Sequence, residues 1–215
     1  MEGNYANTKK FLVVDDHTII RSALSTILTE LYTNVSVDQC LDGTDVLEKM
    51  QTNVYDMVIM DIQMPKTDAI GLIKQMHNLF PKTPVLVYSM TLEKMYGVAV
   101  LKSGAKGFVC KQSSLEELKN AIIAVMQGKT YLTRQIVDLI SEQAFKTTPF
   151  SNLSARELQV VELLLAGKGV TEISKALGLK VSTVGTHKNH IYTKLKVTNL
   201  LELRSSAESL SPVNV

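Results

Sequence analysis

Short aliphatic runs alternate with segments of helical period over the first 128 residues, and this alternation sets the fold class. Phe11-Leu12-Val13-Val14, Val35–Cys40, Met57–Met60, Val85–Tyr88 and Gly107–Cys110 are four to six residues long and rich in β-branched and aliphatic side chains. Runs of that length and composition read as strands, and the most apolar of them as strands buried on both faces. Between them apolar residues recur three and four apart. Ile19, Ile20, Ala23, Leu24, Ile27, Leu28 and Leu31 give an amphipathic helix over 17–31, and further helices are expected through Val46, Leu47 and Met50 and over 70–79, 92–101 and 115–127. Five strands alternating with five helices predict an α/β fold, a five-stranded doubly wound parallel sheet with right-handed crossovers. Its ligand should lie at the carboxyl ends of the strands.

After Gly128 the strand pattern stops. We read 129–150 as a linker holding one amphipathic helix over 133–145, through Ile136, Val137, Ile140 and Ala144, broken by Thr147-Thr148-Pro149. Residues 151–215 read as a small all-α domain of four helices. Ser154-Ala155-Arg156-Glu157 fits a capping box, opening a helix that stops at Gly167. A short helix over 170–177, a turn at Gly178, a longer helix over 181–195 and a last helix from near Asn199 complete a helix-turn-helix pattern.

Charge separates the two halves mildly. Residues 151–215 carry eight basic and five acidic side chains, a net of +3, which leaves −1 for the first 150 residues out of the overall +2. An acidic-site domain followed by a more basic one suits a nucleic-acid partner for the second. Cys40 and Cys110 fall within apolar strand segments and read as free, packed thiols. No apolar run approaches the roughly 20 residues that span a bilayer, and Met1-Glu2-Gly3-Asn4 has no signal-peptide core, so a cytoplasmic protein without membrane contact is expected.

Chemistry enters at the strand ends. The first strand runs into Asp15-Asp16 and the third into Asp61, so a parallel sheet would bring three carboxylates to one edge. Clustered carboxylates repel unless a divalent cation neutralises them, and hard oxygen donors suit Mg2+. Alone, Asp15-Asp16 would be a solvated turn or helix cap, Lys111 a surface lysine and Ser89 an ordinary strand-end hydroxyl. Their shared edge favours a metal-assisted acidic site. His17, His77 and His190 are read as structural or solvent-facing, since no Cys or His stands at a metal-ligand spacing from them.

Taken together, these residues resemble a two-component response regulator of the NarL/FixJ class, in which a CheY-like, flavodoxin-like receiver is joined to a LuxR-type DNA-binding domain. In the first half the resemblance rests on Val14-Asp15-Asp16-His17, Asp61 with Met64-Pro65, Ser89, and Gly104-Ala105 followed by Gly107-Phe108-Val109-Cys110-Lys111, the last stretch being close to the receivers of BvgA and EvgA. In the second half it rests on Leu153-Ser154 with Arg156-Glu157, Gly167, Glu172-Ile173, Thr183-Val184, His187 and Lys194-Leu195.

The resemblance implies a receiver over 1–128, a linker over 129–150 and a LuxR-type domain over 151–215. Asp61 would accept a phosphoryl group from a histidine of a sensor kinase. Asp15, Asp16, Asp61 and the Gln63 backbone carbonyl would hold Mg2+. Lys111 and Ser89 would bind phosphoryl oxygens, and Phe108 would be the aromatic partner of Ser89 in a two-state switch. Ser182, Thr183, Thr186, His187, Lys188, Asn189 and Lys194 would face promoter DNA, with Thr186 and Asn189 toward base edges and Lys188 toward phosphate. Homodimerisation on phosphorylation or on DNA is expected, with RNA polymerase a further candidate partner. The chain would be no enzyme beyond slow self-dephosphorylation.

Several positions depart from the class. Met90 stands where Ala or Gly is usual and is expected to crowd the phosphoryl site; Ala69 replaces a usual Gly and Thr67 a frequent Met. Gly185 replaces a usual Lys within the recognition helix, and Lys180 a usual Ser cap. Leu200, Leu201 and Leu203 would supply either a dimer seam or the closure of the small core. Two other readings compete. An aspartate-nucleophile phosphatase of the haloacid dehalogenase type would need an Asp-x-Asp signature, which is absent. A phosphorylation-independent regulator using its receiver as a dimerisation platform would be expected to lack a site residue, and none is missing.

Overall fold

The computed structural model describes residues 8–65, 67–90, 93–134, 136–137 and 149–208. They form two compact units, one holding the sheet and one the C-terminal helices.

Along the first part of the chain, strands β1 (Lys9–Val14), β2 (Val35–Cys40), β3 (Met57–Met60), β4 (Val85–Ser89) and β5 (Gly107–Cys110) alternate with helices α1 (Thr18–Leu31), α2 (Val46–Thr52), α3 (Ala69–Leu79), α4 (Glu93–Lys102) and α5 (Leu115–Met126). All pairings are parallel, in the order β2-β1-β3-β4-β5. This is the expected doubly wound sheet. Its strand order reverses between β1 and β3, which opens a crevice at their carboxyl ends.

The aliphatic runs are buried because both faces of the sheet are covered. Phe11, Val13, Met57, Ile59, Leu86 and Val109 pack with Leu24, Ile27 and Leu28 of α1 and Leu118, Ala121, Ile122 and Val125 of α5 in one core. The alternate residues Leu12, Val14, Val58, Met60 and Val87 are also fully buried. Each such aliphatic side chain contributes about 1.5–3 kcal/mol of burial. Helix starts follow local chemistry: the Asp68 carboxylate accepts from Gly71 N–H and the Ser114 hydroxyl from Glu117 N–H. Gly104 adopts φ 106°, and a Cβ there would run into the His77 ring, so the turn that feeds β5 requires glycine.

The second unit opens with a 3-10 turn (Pro149–Asn152). It continues through α6 (Ala155–Leu165), α7 (Val170–Leu177), α8 (Val181–Leu195) and α9 (Leu200–Glu208), the four expected helices. Ser154 and Glu157 form the anticipated capping box on α6, and α7 ends at Gly178 with φ 65°. Its core is built from Phe150, Leu153, Leu158, Val161, Leu164, Ile173, Leu177, Val184, Ile191, Leu195 and Leu203. Leu203 is wholly buried and closes this core, whereas Leu201 is 75% exposed. Most of the helix expected over 133–145 falls outside the described residues.

Candidate functional site

Backbone pairing places every strand-end side chain. Val14 lies beside Met60 in register, and Asp61 N–H continues the ladder by donating to the Val14 carbonyl at 2.9 Å, so Asp15 and Asp61 leave adjacent strands side by side. Ser89 pairs with Cys110, and Lys111 N–H donates to the Ser89 carbonyl at 2.9 Å. Four residues far apart in sequence, Asp15, Asp61, Ser89 and Lys111, therefore meet where the strand order reverses.

Asp61 is 2% exposed and fully partnered. Its Oδ1 accepts from the Ser89 hydroxyl at 2.5 Å and from Gln63 N–H at 2.9 Å, and its Oδ2 accepts from Lys111 Nζ at 2.6 Å. The same ammonium lies 2.6 Å from Asp15 Oδ2. Burial works against the charge on Lys111, but Asp15 and Asp61 together outweigh it and hold the pKa above the ordinary lysine value. Lys111 thus bridges two carboxylates as a permanent cation. Ser89 is buried with its hydroxyl turned inward onto Asp61, and Phe108, opposite Val87 on β5, is wholly buried.

Sequence reasoning overlooked the groups that hold the acidic loop. Arg21 is 6% exposed and threads under it: Nη1 donates to the Asp15 carbonyl at 2.7 Å, Nε to Gln39 at 3.1 Å and Nη2 to Thr18 at 3.1 Å. Burying an arginine among such partners is a signal only burial reveals, because in sequence Arg21 looks like a polar position of an amphipathic helix. His17 stands at the N-cap position of α1 with no side-chain capping bond, and its side chain is 64% exposed. It does not simply face solvent, because Nδ1 lies 2.8 Å from Asp16 Oδ1.

Two departures resolve cleanly. Ala69 is the first residue of α3, buried and with no left-handed backbone, so glycine is not needed there. Thr67 is buried, and its hydroxyl accepts from Gly43 N–H at 3.1 Å, a polar tether for the loop. Met90 is half exposed immediately beyond Ser89.

In the second unit, Val184, Ile191 and Leu195 bury one face of α8 while Ser182, Thr186 and Asn189 lie exposed on a stripe spaced four and three residues apart. Gly185 lies among them, and a Cβ added to it would meet nothing within 4 Å. Thr183, His187 and Lys188 are half-buried, with the Lys188 ammonium 5.4 Å from the centre of the Tyr192 ring. Lys194 donates to Glu157 at 2.7 Å, so the acidic residue of the capping box also anchors the recognition-helix candidate. Arg156 donates to the Leu177 carbonyl at 2.6 Å, fixing the end of α7. Lys180 stands at the N-cap of α8 with no side-chain capping bond.

Comparison with known proteins agrees with this geometry. Residues 11–123 match the response regulator receiver domain, and residues 151–207 match the LuxR family of bacterial regulatory proteins. The chain belongs to the response regulators, as a member of the NarL/FixJ type. It is 35% identical to the oxygen regulatory protein NreC of Staphylococcus epidermidis over 206 residues, covering 90% of this chain and 94% of that one. NreC of Staphylococcus aureus is 34% identical over 205 residues, with the same coverage.

Among solved structures it resembles RcsB of Salmonella enterica serovar Typhimurium bound to the rprA promoter in the presence of phosphomimetic BeF3−. That match has a TM-score of 0.70 and 27% identity, and covers 93% of this chain and 98% of that one. A further structure from work on RcsB conformational dynamism for DNA interaction gives a TM-score of 0.72 with 26% identity, covering 95% and 99%. A receiver coupled to a LuxR-type domain makes this response regulator a phosphorylation-regulated DNA-binding transcription regulator, not a typical enzyme.

The acidic pocket of this response regulator is compatible with a divalent cation. Ligand atoms of Asp15, Asp16, His17 and Asp61 all lie within 4.8 Å of one another. Asp16 Oδ1 is shielded from solvent with only the His17 ring beside it, at 2.8 Å, and hard carboxylate oxygens grouped this closely suit a divalent cation. Three acidic side chains surround one ammonium, so the pocket has room for a second positive charge.

Proposed function

We propose that Asp61 is the phosphoacceptor, taking a phosphoryl group from a phosphohistidine of a sensor kinase, and that this switches homodimerisation and promoter binding by the C-terminal helices. In this reading the receiver occupies 1–128, the linker 129–150 and the DNA-binding domain 151–215, and the protein works in the cytoplasm. Among the described residues no helix is long and apolar enough to cross a membrane. The observation that carries the proposal is the convergence of Lys111 and Ser89 on the two oxygens of one buried carboxylate at the strand-order reversal.

A carboxylate oxygen of Asp61 attacks phosphorus, the P–N bond to the donor histidine breaks, and an acyl phosphate forms on Asp61. Asp15, Asp16, Asp61 and the Gln63 carbonyl would hold Mg2+, which supplies neutralisation of the phosphoryl oxygens. Lys111 is already charged and within reach of Asp61, so it pairs with a second phosphoryl oxygen once the carboxylate carries the phosphoryl group. Ser89 gives up its bond to Asp61 Oδ1 and donates to a third. Phe108, wholly buried and opposite Val87 on the neighbouring strand, would be the switch partner of that hydroxyl, in a core where discrete arrangements are favoured over continuous ones. Water attacks the acyl phosphate only slowly.

On α8, Thr186 and Asn189 face base edges, Lys188 faces phosphate, and Ser182, Thr183, His187 and Lys194 complete the DNA surface. Two copies on a two-fold site, such as the parent duplex of a dimeric helix-turn-helix protein offers, supply the affinity one unit lacks.

The test is to incubate the protein with a small phosphodonor and Mg2+, reduce it with borohydride and sequence its peptides by mass spectrometry. Homoserine at position 61, with DNA affinity raised in parallel, is the expected result. Homoserine elsewhere, or none at any donor concentration, refutes the assignment.

A further inference from the structure

Arg21 is a buried charge that the phosphoryl chemistry described above does not use. Only 6% of it is exposed, and among the described residues it forms no ion pair. An arginine is rarely buried so far without a carboxylate partner, because its charge must leave water. Its three nitrogens go instead to three neutral acceptors on three different elements. Nη1 donates to the Asp15 carbonyl beyond β1 at 2.7 Å, Nε to the Gln39 side chain of β2 at 3.1 Å and Nη2 to the Thr18 hydroxyl of α1 at 3.1 Å. A guanidinium is planar, so donors anchored on β2 and α1 fix the direction of the third.

That third bond lands on the peptide joining Asp15 to Asp16. The orientation of this one peptide sets the directions in which two successive carboxylates leave the backbone. Its other constraints are consistent with a fixed geometry: Asp15 N–H donates to the Cys40 carbonyl at 3.2 Å, and Asp15 Oδ1 accepts from His17 N–H at 2.8 Å. Asp15 Oδ2 then meets Lys111 at 2.6 Å, and Lys111 meets Asp61 at 2.6 Å. A chain of contacts thus runs from Arg21 through Asp15 and Lys111 to Asp61. If the peptide turned, Asp15 would leave Lys111, and the ammonium would bear on Asp61 alone.

We propose that Arg21 is a positioning residue of the phosphoacceptor site, whose guanidinium fixes the peptide between Asp15 and Asp16 and so aims both carboxylates. This role rests on Asp61 being the phosphoacceptor and on the acidic cluster holding Mg2+. Charge and position act on that cluster in opposite senses. A guanidinium behind the pocket repels a divalent cation, so through charge alone its removal would tighten Mg2+ binding. Groups that hold a metal's ligands in place are worth about 10–100-fold in affinity or activity when removed. Positioning by Arg21 therefore predicts weaker Mg2+ binding on its removal, and the sign of the change separates the two roles.

The experiment uses the full-length protein at a temperature where circular dichroism shows each variant folded, with Mg2+ and phosphoramidate as probes. In Arg21→Met the Mg2+ dissociation constant of the unphosphorylated protein, from calorimetric titration, should rise about 10–100-fold, and phosphorylation of Asp61 at saturating Mg2+ should slow. Arg21→Lys keeps the charge and one donor for the Asp15 carbonyl, and should recover most of both losses. Tighter Mg2+ binding in Arg21→Met overturns the proposal in favour of charge, and an unchanged constant overturns it in favour of a purely structural role. Should Arg21→Met not fold, Thr18→Ala with Gln39→Ala changes two exposed positions and leaves the guanidinium held by the Asp15 carbonyl alone. Equal Mg2+ affinity in that double variant and the wild type is then the overturning result. A wild type that neither binds Mg2+ nor gains a phosphoryl group at Asp61 removes the reading of the site itself; a wild type that does both, matched by the variants, removes only the role of Arg21.

Discussion

Gly185 offers the sharpest coupling of stability to DNA binding in this chain. It is the fifth residue of the fifteen in α8, well inside the helix, and its backbone is not in the left-handed region. A Cβ there meets no atom within 4 Å. Gly185→Ala therefore adds no steric strain and removes only the entropic handicap of glycine in a helix, a gain of about 0.5–1 kcal/mol. That corresponds to about a two- to fivefold shift in the local unfolding equilibrium. Hydrogen exchange of the α8 amides in the full chain reads it directly, as slower exchange from Val184 to Ile191.

Gly185→Lys should give nearly the same stabilisation, because lysine is a good helix former. It also adds a cation to the stripe of Ser182, Thr186 and Asn189. If that stripe faces DNA and the new ammonium meets one phosphate, the slope of log affinity against log salt should steepen by about 0.9. Unchanged or faster exchange in Gly185→Ala would show that α8 is strained at this residue in a way its open surroundings do not reveal. Slower exchange in Gly185→Lys without a steeper salt slope would place the stripe away from the duplex and remove Thr186 and Asn189 from the proposed contacts.

Three other predictions follow from individual contacts. Met90 stands half exposed just beyond Ser89, and Met90→Ala should shorten the lifetime of the acyl phosphate, measured by the decay of the phosphorylated band on a phosphate-affinity gel; an unchanged lifetime would mean the side chain does not hinder water. Arg21→Met removes a buried guanidinium from the Asp15 carbonyl and should destabilise the first unit by about 1.5–3 kcal/mol, read as an earlier denaturant midpoint, with a smaller effect pointing to water replacing it. At Glu157 burial opposes ionisation, but Lys194 and Ser154 outweigh it and hold the pKa below the ordinary glutamate value. Ionised Glu157 thus stabilises the second unit above the unfolded value of about 4.3, and that contribution is lost as pH falls through the lower folded value. Glu157→Gln should flatten this acid limb of a thermal-unfolding series, and an unaltered limb would assign it to other carboxylates.

Most of the fold was legible because its signals are local. Runs such as Phe11–Val14 and Met57–Met60 can only be buried, and α1 carries its apolar stripe at unmistakable spacing. The strand-end carboxylates followed from topology alone, since parallel strands deliver their last residues to one edge. Contacts between distant polar groups were not legible. Nothing in residues 17–21 reveals that Arg21 folds beneath Asp15, or that His17 turns toward Asp16; both depend on how α1 leaves the sheet. The same holds for Lys196, which ends α8 with φ 56° where glycine is the usual residue, a strain no sequence rule places on a lysine.

The two units handle charge by opposite means, and this bears on why the first can switch. Around Asp61 the carboxylates outnumber the ammonium, and Asp16 keeps a shielded oxygen with only the His17 ring beside it, so the pocket is held short of electrostatic balance. Glu157, by contrast, is matched: its carboxylate closes the cap of α6 and pairs with Lys194 of α8. A balanced pair stiffens the helices that present α8, because removing either partner would strand a charge. An unbalanced pocket does the reverse, leaving free energy to be released when a cation and a phosphoryl group arrive together, and only that differential can shift the population of a coupled state. Ser89 is the natural point of coupling, since its hydroxyl must leave Asp61 Oδ1 when the oxygen chemistry around that carboxylate changes.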